Sequence, residues 1–246
     1  MNSLVVIPAR LASSRLPEKL LLSDTGKSVI QYTHEAAKTA TRPSGVVVAT
    51  DSQRIVDAVE RFGGDARLTD PNAQSGTDRV AEVAESFQDI DIFVNVQGDE
   101  PEIEGTLIDR LIDLLDSDQQ AEVATMATRI RNPAQINDVS CVKVVATHTG
   151  RALYFSRLGI PFVRDSEGEH DRAEHYQHVG IYAYRREFLM RLKELPPSPL
   201  EESEKLEQLR FLQAGVIIRV GVADYAAPGI DTIEDYRAFV SRQSKR

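Results

Sequence analysis

Short β-branched runs set between stretches of helical spacing constrain this chain most. Residues 4–7 (LVVI) and 46–49 (VVVA) are continuous apolar runs, and 90–96 (IDIFVNV) reads as a further, mostly apolar strand, each ending in a polar loop. Helical stretches alternate with them: Ile55, Val56, Val59 and Phe62 fall on one face, as do Val80, Val83, Ala84 and Phe87, then Leu107, Ile108, Leu111, Ile112 and Leu115. Strands without in–out alternation are buried on both faces, and alternation with helices implies βαβ units and a mostly parallel sheet. After residue 120 the rhythm changes. Residues 123–130, 142–146 and 179–184 read as strands with no clear helix between them, and 164–177 as a charged loop. Helix returns over 202–213, strand over 216–222 and helix over 232–240. The expectation is one α/β domain over 1–246, with a smaller, more antiparallel subdomain inserted at about 122–185.

Several functions are excluded early. The 29 Lys and Arg against 38 Asp and Glu give a net charge of −9, which argues against a general nucleic-acid or anionic-membrane binder. A basic pocket for a small anion remains compatible with that charge. The single cysteine, Cys141, rules out an internal disulfide framework and a Cys-based zinc site; its apolar setting predicts a small buried hydrophobe. The start lacks a basic n-region and a long apolar run, and no stretch reaches membrane-helix length, so a cytoplasmic protein is expected.

Ligands of open α/β sheets bind beyond the carboxyl ends of the strands. Residues 8–19, 49–51, 69–79 and 97–101 are therefore expected to share one crevice. The first loop carries Arg10, Arg15 and Lys19, with Ser13 and Ser14 as small donors, in a segment of net positive charge. Two arginine forks and a lysine point charge suit a polyphosphate; a solvated basic loop is the alternative. In 94–101 (VNVQGDEP), Asp99 follows an apolar strand, where its backbone is fixed well enough to hold a metal, and Gly98 permits close approach. A turn whose acid caps the next helix is the alternative. Ser75 to Asp78 fits a capping box. Asp231 or Thr232 is placed to cap the last helix, and capping by itself accounts for residues 229–235.

Other patterns carry nothing. Gly26-Lys-Ser28 has Leu21 where a Walker A glycine belongs, and neither a dinucleotide glycine fingerprint nor a Gly-x-Ser-x-Gly elbow occurs. His170, His175 and His178 lack zinc-site spacing.

Taken together, Pro8-Ala-Arg10, Ser14-Arg-Leu-Pro17 with Lys19, Val48-Ala-Thr-Asp51, Gln74-Ser-Gly-Thr77, residues 94–101, residues 152–157 with Ile160-Pro161, His178-Val-Gly-Ile-Tyr182, Leu206-Glu-Gln-Leu-Arg210 and Gly229-Ile-Asp-Thr232 closely resemble the 3-deoxy-manno-octulosonate (Kdo) cytidylyltransferases, nearly end to end. The resemblance implies a nucleotide-diphospho-sugar-transferase-like fold, a homodimer and a need for Mg²⁺. It implies transfer of CMP from CTP to the anomeric 2-hydroxyl of Kdo with release of pyrophosphate, feeding lipopolysaccharide assembly. Residue by residue, it implies that Arg10, Arg15 and Lys19 hold the CTP phosphates. Gln74, Ser75, Gly76 and Arg79 line the cytidine pocket, and Asp99 and Asp231 bind Mg²⁺, so Asp231 does more than cap a helix. Gln97, Arg157, His178, Tyr182, Glu207 and Gln208 face the sugar acid. The family's common form has glycine and proline at the positions of Glu18 and Leu20. Glu18 then either points outward or weakens CTP binding. Competing expectations are a cytidylyltransferase for sialic acid or 8-amino-Kdo, and a non-catalytic nucleotide-binding module; a redox enzyme fits poorly without the glycine fingerprint.

Overall fold

The computed structural model describes residues 1–13, 15–164 and 174–245. Ser14 and His170, both named above, and much of the charged 164–177 loop lie outside the described residues. The strands are β1 (Ser3–Ala9), β2 (Val46–Thr50), β3 (Asp65–Leu68), β4 (Ile92–Asn95), β5 (Val123–Arg129), β6 (Lys143–Ala146), β7 (Ala152–Ser156), β8 (Tyr176–Arg185) and β9 (Ile218–Ala223). The helices are α1 (Val29–Ala37), α2 (Gln53–Arg61), α3 (Gly76–Ser86), α4 (Gly105–Ser117), α5 (Ala134–Asn137), α6 (Arg186–Met190), α7 (Pro199–Glu204), α8 (Gln208–Gln213) and α9 (Ile233–Gln243).

The strands form one sheet in the order β3-β2-β1-β4-β8-β5-β9, with β6 and β7 branching from β8. Along that path only β8 runs against the others. The mostly parallel expectation holds for these strands. The 122–185 stretch is more antiparallel, as expected, but β5 and β8 sit within the main sheet. Only the β6–β7 hairpin projects from it.

Strand alternation divides the core in two. Val5, Ile7, Ile92 and Val94 point to the layer that contains residues of α1, α2, α4 and α9. Leu4, Val6 and Phe93 point to the opposite layer with residues of α3, α6 and α8. All seven residues of β1 are buried, and full burial of each of its large aliphatic side chains contributes roughly 1.5–3 kcal/mol.

β1 continues through Pro8, beyond its expected stop. Val6 turns its backbone toward β4, accepting a bond from Val96 N, and Pro8, two residues on, faces the same way. The β1–β4 pairing ends at Asn95, so the missing Pro8 N–H breaks no ladder bond.

The short α5 and α6 were not expected, and two longer helical stretches also differ from expectation. α1 went unanticipated because Thr33 and His34 lie on its buried face; the Thr33 hydroxyl donates to Gly98 O at 2.9 Å. The helix expected over 202–213 is broken into α7 and α8 at Lys205, which adopts φ 53°. The Arg157 guanidinium donates to the Glu204 and Lys205 carbonyls released there. Among the described residues no helix is long and apolar enough to cross a membrane.

Candidate functional site

Because β1, β2 and β4 are parallel, the loops after Ala9, Thr50 and Asn95 emerge at one edge. A cavity of about 290 Å³ opens there, lined by Arg10, Arg15, Lys19, Gly76, Gln97 and Asp99 among others. Loops 8–19, 69–79 and 97–101 therefore share a crevice, as expected. Asp51 instead lines an adjoining hollow together with Ser13, Pro17 and Glu18.

Lys19 stands at the centre. It begins a single 3-10 turn, Lys19–Leu21, and its side chain is 14% exposed. Its ammonium donates to the Asp99 carboxylate, to Ile230 O at 2.8 Å and to Asp231 Oδ1 at 3.3 Å. Arg15 reaches the same Asp231 oxygen at 3.0 Å. Asp99 O accepts the Ile230 amide at 2.8 Å, a backbone bond that brings residues separated by over 130 positions to one point. Thr232, not Asp231, caps α9, in a capping box with Asp235. That leaves the Asp231 carboxylate to face the site.

Two carboxylates converging on one cation offer hard oxygen donors in the number Mg²⁺ usually takes from protein. No cluster of three or more His, Cys, Asp or Glu side chains competes as a metal site among the described residues. Beside Asp99, burial and then the Asp99 charge push the Glu100 carboxyl up to about 8.

The Glu18 question is answered by geometry. Glu18 adopts φ 52°, in the left-handed region where glycine is at ease. Its side chain turns away to a two-point pair with Arg54 of α2, one bond being 2.8 Å. Leu20 is buried and packs where a Cβ on Gly98 would lie, 3.3 Å away.

On the nucleotide side, Ser75 caps α3 through the expected capping box with Asp78. Gly76 lies against Pro8, Gln74 bonds to Asn72 O at 2.9 Å, and Arg10 donates to Ala73 O. Arg79 is a correction. It is 0% exposed and bonds to Thr69 Oγ1, Asp70 O and Asp51 Oδ2. It pins the loop from behind and does not line the cavity.

The residues expected to face the sugar acid come from several elements: Gln97 follows β4, Arg157 follows β7, His178 and Tyr182 lie on β8, and Glu207 and Gln208 begin α8. Gln97 lines the central cavity and bonds to Asn95 Oδ1 at 3.3 Å. His178 and Tyr182 lie on β8 with ring centroids 5.3 Å apart, and Tyr182 stacks on Tyr184 at 5.7 Å. Burial lowers the His178 imidazole to about 3, so it is neutral. The one Thr125 hydroxyl proton is directed to backbone carbonyls, Ile181 O at 2.8 Å and Val179 O at 3.2 Å. His178 Nε2, 2.9 Å from that hydroxyl, is therefore assigned as the donor, which leaves Nδ1 as an acceptor.

Glu207 accepts from Thr77 Oγ1 and lies 3.3 Å from Arg210; burial raises its carboxyl above the ordinary value. Gln208 is buried with Nε2 unpartnered. Arg157 is more committed than expected. It donates to Glu204 O, Val139 O and Lys205 O, so about two of its five N–H donors remain for a carboxylate. Thr77 and Tyr184, which link Glu207 to Tyr182, are buried polar residues that strand and helix patterns alone do not distinguish from core. Cys141 is buried, as expected.

The family model described as cytidylyltransferase matches residues 4–219. A 3-deoxy-manno-octulosonate cytidylyltransferase of Rhodopirellula baltica is 49% identical, with 98% of each chain covered. An 8-amino-3,8-dideoxy-manno-octulosonate cytidylyltransferase of Shewanella pealeana is 42% identical, with 98% of each covered. The solved structure of a CMP:2-keto-3-deoxy-manno-octonic acid synthetase complexed with CTP superposes with a TM-score of 0.94 at 40% identity, covering 100% of this chain and 99% of the other. This chain belongs to the cytidylyltransferase family, in the group of the 3-deoxy-manno-octulosonate cytidylyltransferases.

Proposed function

We propose that the chain transfers CMP from CTP to the anomeric 2-hydroxyl of Kdo and releases pyrophosphate, supplying activated Kdo for lipopolysaccharide. The observation that carries this reading is the convergence of Lys19 and Arg15 on the carboxylates of Asp99 and Asp231. Mere nucleotide binding does not need two acids among the phosphate-binding cations.

In the proposed reaction the sugar 2-hydroxyl oxygen attacks the α-phosphorus in line, the bond from that phosphorus to the bridging β-phosphate oxygen breaks, and the hydroxyl proton passes to solvent. Arg10, Arg15 and Lys19 hold the triphosphate and neutralise the departing pyrophosphate. Gln74, Ser75 and Gly76 receive the cytidine. Asp99 and Asp231 would hold Mg²⁺, which when bound stabilises charge on the α-phosphate and activates the attacking oxygen. Gln97, His178, Tyr182, Glu207 and Gln208 grip the sugar hydroxyls, with His178 Nδ1 accepting, and Arg157 offers its remaining donors to the sugar carboxylate. Positioning and fixed charge supply most of the rate. No covalent attachment to the chain is required. Leu153, Leu158 and Phe162 are exposed apolar residues and support a homodimer contact on the 152–162 segment; light scattering of the wild type and of Phe162→Asp tests the dimer and its place.

The deciding assay follows pyrophosphate release from CTP and Mg²⁺, with Kdo, 8-amino-Kdo or sialic acid in parallel. Release that requires Kdo is expected. The Shewanella pealeana relative makes 8-amino-Kdo the second reading, and release confined to it would replace the substrate while keeping the reaction. CTP binding without release from any sugar acid would overturn the reaction itself.

A further inference from the structure

Thr77 has no role assigned in the proposed reaction, yet it adjoins both the nucleotide loop and the sugar-acid residues. It lies in the first turn of α3, directly after Ser75 and Gly76, and is 2% exposed. Its hydroxyl bonds to a carboxylate oxygen of Glu207 and lies 3.3 Å from the Tyr184 hydroxyl. Tyr184 is fully buried and stacks on Tyr182 with rings 11° from parallel. One hydroxyl thus adjoins the nucleotide loop by sequence, Glu207 by direct bond and Tyr182 through its backing ring.

The hydrogen-bond roles follow from donor counting. An ionised carboxylate only accepts, so the Thr77 proton goes to Glu207 and the Thr77 oxygen accepts from Tyr184. Through its bond with Thr77 the Glu207 carboxylate meets the first turn of α3, an 11-residue helix whose backbone dipole favours an anion there. Its remaining charged partner is Arg210, at 3.3 Å. Burial penalises the Glu207 charge, and hydrogen bonds from the Thr77 and then the Ser75 side chain oppose that penalty, so loss of the Thr77 donor leaves Ser75 and Arg210 to hold a less well compensated carboxylate.

We infer that Thr77 is a positioning residue that holds Glu207 and the Tyr184–Tyr182 stack in register with the nucleotide loop, and so couples sugar-acid binding to CTP binding. The inference rests on the proposed Kdo transfer. It concerns how two subsites are aligned, and Thr77 itself touches neither substrate.

The test compares wild type, Thr77→Val and Thr77→Ser by pyrophosphate release, varying CTP and Kdo separately, with melting temperature measured alongside. Valine keeps the shape and removes the hydroxyl; serine keeps the hydroxyl. In the valine variant the KM for Kdo should rise about tenfold, as expected for one lost bond to a charged group. The affinity for CTP alone, measured by calorimetry, should stay within about twofold. Serine should restore the KM for Kdo. Unchanged KM values in the valine variant overturn the inference and leave the reaction standing. So does an equal loss for both substrates, with a lowered melting temperature and no rescue by serine, because that is the signature of a purely structural threonine. Failure of the wild type to release pyrophosphate overturns the proposed reaction, and the inference with it.

Discussion

Asp99→Asn separates the chemistry of the site from its construction. The amide has nearly the same shape as the carboxylate and leaves the backbone bond from Ile230 N to Asp99 O, 2.8 Å, in place. The change therefore removes charge and not position. Its cost to folding is small. Lys19 retains Ile230 O at 2.8 Å and Asp231 Oδ1 at 3.3 Å, and the lost ion pair has side chains 14% and 25% exposed. The asparagine Oδ1 can still accept from the Lys19 ammonium, so what is lost is the charge on the acceptor, on the order of 1 kcal/mol, a shift of roughly 2–4 °C in melting temperature for a chain of this size. The cost to turnover is much larger. Removing one preorganised electrostatic stabiliser typically lowers kcat by about 10²–10³, or roughly 2.7–4 kcal/mol. The assay is pyrophosphate release at saturating CTP and Kdo, paired with thermal unfolding and Mn²⁺ binding followed by electron paramagnetic resonance. A melting point near wild type with kcat reduced at least about 100-fold and weakened Mn²⁺ binding is expected. A correctly folded variant that turns over within a few-fold of wild type would remove Asp99 from the proposed metal role and refute the reasoning.

Three further outcomes follow from the same structure. Lys19→Ala should raise the KM for CTP by about tenfold and that for Kdo far less, because its charge faces phosphate; equal increases contradict the assignment. Arg79→Met should destabilise the fold by about 3 kcal/mol in urea titration, since it deprives the Asp51 carboxylate and two further acceptors of a buried guanidinium. Lysine at that position should not restore stability, because one ammonium lacks the planar fork; full stability of either variant removes the pinning role. For His178, the folded value of about 3 lies below the unfolded value of 6.5. The unfolded chain binds the extra proton between those values, so stability is intact above the unfolded value and falls as the pH drops toward about 3. The slope is at most about 1.4 kcal/mol per pH unit. His178→Asn should flatten that acid limb, and unfolding free energies measured from pH 7 to pH 5 with the same slope in both proteins would contradict this.

The legible part of the protein was whatever is encoded locally. The continuous runs of β1, β2 and β4, the helical spacing of α2, α3 and α4, and the capping box at Ser75 are short-range patterns. They sufficed for the fold class and for the loops that meet at the crevice. The ordered motifs then brought in the family, and with it Asp231, which residue patterns alone had left as a candidate cap. Local pattern failed where a distant partner supplied the missing energy. The polar residues on the buried face of α1 are one instance, with Thr33 bonded to Gly98 O from 65 positions away. The break between α7 and α8 is another, because Arg157 satisfies carbonyls that a continuous helix would have paired internally.

The site shows the same division. Sequence by itself determined which residue types are present: a basic loop, strand-end acids, a capped helix and a set of hydroxyl-gripping side chains. Tertiary structure decided their assignments. It turned Glu18 outward to Arg54, withdrew Arg79 behind the loop, committed most of Arg157 to backbone carbonyls and set Thr77 between two groups of residues. The physical reason is that periodicity reports which way a side chain faces relative to its own element. Hydrogen-bond partners and desolvation depend on which elements the parallel crossovers bring together, and at this site those contacts span up to 216 positions, as between Arg15 and Asp231.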